Sequence, residues 1–65
     1  MDNRVEKIII NYLQHRWNNI VKHENNGWEC RDMKYAFSAC RIMGEDILGK
    51  AIQIDKNDKV YIVDM

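Results

Sequence analysis

The chain has 65 residues, 46% of them apolar, and balances ten Lys plus Arg against ten Asp plus Glu. That length fits one domain, residues 1–65, and the apolar fraction excludes a disordered polymer. The zero net charge excludes a global field that would draw in nucleic acid or an anionic membrane.

No stretch approaches the roughly 20 apolar residues that span a bilayer, and acidic groups interrupt the N-terminal segment, so neither a membrane span nor a signal peptide is expected. With only Cys30 and Cys40 as thiols, the location read from the sequence is cytoplasmic. The Ile, Asn and Lys content, with no Pro, suggests a bacterial or phage origin. A chain this short buries only about 60% of its unfolded surface, so its core is marginal without a staple or a partner.

The first element is a helix of about residues 3–23. Val5, Ile9, Leu13, Trp17 and Ile20 fall on one face at about 100° per residue. Ile10, Tyr12 and Val21 widen the apolar arc to about half the circumference, more than the roughly 100° stripe that one neighbour needs. Asp2 or Asn3 can cap the start, and Asn25-Asn26-Gly27 ends the helix.

A second helix is expected over about 30–43. Either the Asn26–Glu29 spacing or Asp32 supplies its cap, and Gly44 stops it. Met33, Ala36, Phe37, Cys40 and Met43 form its stripe, with Tyr35, Ala39 and Ile42 alongside. Residues 45–49 add at most one further turn. Cys40 is assigned to the core and Cys30 to a partly exposed position. Trp28 reads either as an interface anchor or, by preference, as a lid folded over the end of the first helix.

The last element is a β-hairpin of about 51–55 and 59–63. Pairing Ile54 with Val60 and Ile52 with Ile62 makes one face wholly aliphatic. The same register sets Asp55 against Lys59 and Lys50 against Asp64, and leaves Lys56-Asn57-Asp58 as the loop. The other face carries Gln53, Tyr61, Val63 and Met65. The fold class is therefore α+β, with two helices on one face of a C-terminal antiparallel hairpin.

Chemistry-bearing residues are sparse. His15, His23, Cys30 and Cys40 have no metal-ligand spacing, and two cysteines ten residues apart on one helix lie about 15 Å apart. There is no phosphate-cradling Gly-rich loop and no nucleophile elbow. No enzyme, metal or cofactor is expected.

Arg31, Lys34 and Arg41 share a helix side with Ser38 and form a candidate anion or nucleic-acid contact. A winged helix-turn-helix would need a recognition helix where the short acidic run 45–50 stands. The run Val60-Tyr61-Ile62-Val63 offers a strand edge to a second chain. The sequence therefore favours a non-enzymatic protein-binding module, a small inhibitor or regulator acting by surface occlusion through Trp28, Tyr61, Val63 and Met65. A homodimer with an unidentified protein partner is expected. The alternatives are a nucleic-acid-binding regulator, or an oligomer that sequesters a small anionic ligand.

Overall fold

The computed structural model describes residues 3–63. In chain order they form α1 (Asn3–Lys22), α2 (Trp28–Leu48), β1 (Ala51–Ile54) and β2 (Val60–Val63). The two helices lie antiparallel to each other, and the hairpin packs across them, α1 against β2 and α2 against β1. The α+β class stands.

The apolar spacing of α1 sends Leu13 and Ile20 into the core, with Val5, Ile9, Ile10 and Trp17 packed against it. Helix α2 differs from the expectation at both ends. It begins at Trp28, with Gly27 as its N-cap at φ 57° and no capping side chain, so neither Asn26 nor Asp32 caps it. It also runs through Gly44, the expected stop, to Leu48. The actual stop is Gly49, left-handed at φ 67°, whose N–H donates to the Glu45 carbonyl at 2.8 Å. Left-handed geometry is the usual reason for glycine at a helix end.

Gly44 serves close packing instead. It is buried, and a methyl group on its Cα would lie 2.9 Å from Ile9 Cγ2 and 3.2 Å from Ile52 Cδ1. The core stripe of α2 is accordingly Cys30, Phe37, Gly44 and Leu48, flanked by Met33 and Cys40, while Ala36 and Met43 face outward. The cysteine assignment reverses. Cys30 is buried, with its Sγ 3.9 Å from the Ile20 carbonyl, and Cys40 is half-buried.

Trp28 is not a lid. It is 76% exposed, with the Arg31 guanidinium 4.8 Å above its ring. The tryptophan that does pack inward is Trp17, tilted against Phe37 with centroids 5.1 Å apart.

The hairpin register is the expected one, Ile52 opposite Ile62 and Ile54 opposite Val60. Each strand is four residues long, one shorter than expected. Asp55 organises the turn: its N–H donates to the Lys59 carbonyl at 2.9 Å, and its Oδ1 accepts the N–H groups of Asn57 and Lys59 at 2.8 and 2.9 Å. Asp58 takes φ 62°, a left-handed position that Asp tolerates better than most residues. The expected Lys50–Asp64 pair falls partly outside the described residues. Lys50 Nζ meets Glu6 Oε1 at 2.8 Å.

Replacing Gly44 by Ala tests this packing. Alanine favours a helix over glycine by about 1 kcal/mol, but overpacking costs about 1–3 kcal/mol. The stiff Ile9 branch cannot move aside cheaply, so Gly44→Ala should lower unfolding stability by about 1 kcal/mol. A denaturant midpoint raised by the substitution would refute the close approach.

Candidate functional site

The hairpin has two outer edges, and side chains of the helices hold both of them. Asp55–Lys59 is a hydrogen-bonded pair, so by alternation the N–H and C=O groups of Ile52, Ile54, Val60 and Ile62 point outward. Gln14 of α1 takes the β2 side. Its Oε1 accepts the Val60 N–H at 2.8 Å, and its Nε2 donates to the Asp58 carbonyl at 2.9 Å and to Asn18 Oδ1 at 3.0 Å. Trp17 Nε1 adds a bond to Asp58 Oδ1 at 3.1 Å.

On the β1 side, the Ile52 N–H donates to Glu45 Oε2 at 2.8 Å. Arg41 Nη1 donates to the same carboxylate at 3.2 Å and to the Ile52 carbonyl at 3.4 Å. One residue of backbone on each strand is thus closed off. Beyond Gln14, a groove of about 500 Å³ between α1 and β2 passes Lys7, Ile10, Asn11 and Ile62. Among the described residues, the open part of that edge offers the outward backbone groups of Ile62.

Four of the nine exposed large apolar side chains among the described residues lie together on the other side of the helical pair. Ile8 is 68%, Met43 63% and Ile47 57% exposed, and Tyr12 stands among them. They surround a groove of about 360 Å³ between α1 and α2, floored by Ile9, Leu13, Cys40 and Gly44. The hairpin covers the opposite side of this pair, so among the described residues these side chains have no layer above them. Arg16 lies at one end of the groove, its Nε donating to Tyr12 Oη at 2.6 Å and its guanidinium 5.0 Å from the ring centroid. That hydrogen bond raises the arginine pKa above its ordinary value and holds the phenol in place over the groove.

The sequence-derived site residues scatter. Tyr61 is 42% exposed on the sheet face away from the helices, Val63 is half-buried, and Met65 lies outside the described residues. Trp28 stands at the start of α2, remote from both. The basic ridge is broken: Arg41 is committed to Glu45 and Ile52, and Arg31 lies over Trp28. Lys34, Tyr35 and Ser38 complete a shallow surface of about 260 Å³ with Arg31.

Gln14, Glu45, Ile8 and Ile47 were missed by sequence reasoning. The width of the apolar arc on α1 signalled a surface of the Ile8 kind. Nothing in the local sequence signalled the reach of Gln14 to a hairpin more than 40 residues later. Among the described residues no three His, Cys, Asp or Glu side chains converge on a common metal position. No described helix is long and apolar enough to cross a membrane.

Comparison of the chain with protein-family models, with curated proteins and with solved structures finds no match in any of the three.

The Gln14 clamp yields a direct test. Gln14→Leu leaves the Val60 N–H without a side-chain acceptor, which costs about 1–3 kcal/mol if the group stays buried. Amide hydrogen exchange should quicken at Val60 far more than at Ile52, which Glu45 still holds. Equal loss of protection at both amides would show that Gln14 is not the specific closure of the β2 edge.

Proposed function

We propose that this chain is a non-enzymatic protein-binding module, a small regulator or inhibitor that works by covering another protein surface. The observation that carries this reading is the contiguous apolar groove of Ile8, Tyr12, Met43 and Ile47. Scattered single apolar residues are ordinary on a protein surface, whereas a continuous patch along two helices is a mark of an interface.

The patch has the composition of an interface core: two branched aliphatics, a flexible Met and a Tyr, with charges at the margins. Surface occlusion requires no catalytic group. The part-buried polar contacts of Gln14, Arg41 and Glu45 serve to close strand edges on the hairpin. Tyr61 and Val63, on the far face of the sheet, offer a narrower second surface.

A site-specific test uses a photo-crosslinking amino acid at Ile47, at Tyr61 and, as control, at Lys56 in the hairpin loop. In the native host the Ile47 position should give a defined protein adduct, whether to a different protein or to another copy, and Lys56 none. Absence of any adduct from Ile47 would overturn the reading, and an adduct from Tyr61 alone would move the interface to the sheet.

A second reading has its own observation. Trp28, Arg31, Lys34 and Tyr35 form an exposed strip that interleaves aromatic rings with basic groups, which suits the stacking and phosphate contacts of a single-stranded nucleic acid. With two cations available, Arg31 and Lys34, the slope of log affinity against log salt should be no steeper than about −1.4 on a single strand. Salt-independent or undetectable binding would dismiss this reading.

A further inference from the structure

The apolar groove has margins of opposite sign, and this identifies its occupant. At 100° per residue, the side of α1 next to the groove carries His15, Arg16 and Lys22 and no acid. The acid of α1, Glu6, turns the other way, to Lys50 at the hairpin. The matching side of α2 carries Glu29, Asp32 and Asp46, all exposed. Two of the three bases of α2 turn away: Arg41 binds the β1 edge, and Lys34 lines the recess beside Trp17 and Asp58. The third, Arg31, lies over the Trp28 ring, so three acids face one base on this side. Among the described residues, Glu29, Asp32 and Asp46 have no salt-bridge partner.

We infer that the groove receives a second copy of this chain, forming a two-fold dimer in which α1 of each copy lies over α2 of the other. The inference rests on reading this groove as a protein-binding surface and names its partner; with the groove filled by a copy, a different protein would meet the dimer through the sheet face of Tyr61 and Val63.

The geometry follows from the heights of the residues along the helical pair. Tyr12 Oη lies 3.9 Å from Cys40 Sγ, Trp17 packs on Phe37, and Cys30 Sγ reaches the Ile20 carbonyl. Arg16 therefore stands within about a turn of Asp32, and Lys22 close to the height of Glu29. A two-fold axis parallel to the helices preserves height and exchanges left for right. Ile8 and Tyr12 of one copy then meet Met43 and Ile47 of the other, and each basic margin meets an acidic one. The other in-plane axis, perpendicular to the helices, would stack base on base and acid on acid. The charges thus select the first arrangement, which is isologous and closed.

The area is adequate. Helices of 20 and 21 residues run about 30 Å, so a molecule 21 Å wide presents a face of roughly 600 Å² in flat projection. The accessible area of a face studded with side chains is larger than its projection. It is comparable to the roughly 800 Å² per partner of a standard interface. The assembly is a four-helix layer with one hairpin on each outer side.

Sedimentation equilibrium of the full chain at high micromolar concentration is the first test, with twice the 7.8 kDa monomer mass expected. Ile47→Asp should give a monomer with unchanged helical circular dichroism, because Ile47 is exposed in the single chain. A charge-reversal pair then tests the pairing. Variant one carries Glu29→Lys and Asp32→Lys, and variant two carries Arg16→Glu and Lys22→Glu. Each alone should dimerise at least about tenfold more weakly than the parent at low salt, with the deficit shrinking at high salt. An equimolar mixture should recover a heterodimer.

A wild-type monomer at every concentration would overturn the dimer. If Ile47 still crosslinks to a different protein in that case, the binding-surface reading survives without it. A dimer insensitive to Ile47→Asp, or a mixture that stays monomeric, would overturn the proposed face or pairing.

Discussion

The architecture depends on the close approach of α1 and α2 at Gly44. Because no side chain occupies that position, Ile9 and Ile52 close over the backbone of α2, and the helix continues for another turn toward the hairpin. That turn delivers Glu45 to the Ile52 N–H and Leu48 to the core. If the helix stopped at residue 43, β1 would lose its polar hold and the core one of its buried residues. A single hydrogen atom in place of a side chain thus governs both how deeply the helices interlock and where the sheet is anchored.

Sheet edges are the second constraint, and they explain why the part-buried Gln14, Arg41 and Glu45 side chains of so small a fold are devoted to structure. A two-stranded hairpin has an outer edge on each strand, and an unprotected edge invites pairing with other chains. Here one amide side chain and one guanidinium–carboxylate pair meet the outward backbone groups of Val60 and Ile52. Each clamp matches donors to acceptors: Gln14 both donates and accepts, and Arg41 and Glu45 divide the two roles. The helices are therefore not only a hydrophobic cover for the sheet; they also complete its hydrogen bonding. With this side of the helical pair committed inward, Ile8, Tyr12, Met43 and Ile47 are left clustered on the opposite side.

Much of this was legible in the sequence, for identifiable reasons. The core face of α1 and the hairpin register follow from periodicity, because misplacing either would bury charge or split the aliphatic face formed by Ile52, Ile54, Val60 and Ile62. The end of α2 was not legible, because two glycines five residues apart send the same local signal and only tertiary packing distinguishes Gly44 from Gly49. Trp28 and Trp17 present the same problem: both are large and apolar, and the direction each faces depends on where α2 begins. The candidate interface was harder still. Ile8, Met43 and Ile47 are apolar residues left over once the core is filled, and the core can be identified only when all four elements are in place.

The hydrogen bonds of Gln14 and Trp17 to the hairpin join residues 41 to 46 positions apart. This separation sets an order of events during folding. The chain can zip α1 onto α2 through Trp17–Phe37 and Ile20–Cys30 first, since these contacts close comparatively short loops. The side that will bind the hairpin stays uncovered until residues 58–60 dock. During that interval the helical pair is apolar on both sides, and it gains a covered side only when Asp58 and Val60 reach Gln14. Docking of β2 is thus the step that takes a helical pair adhesive on two sides and leaves it adhesive on one.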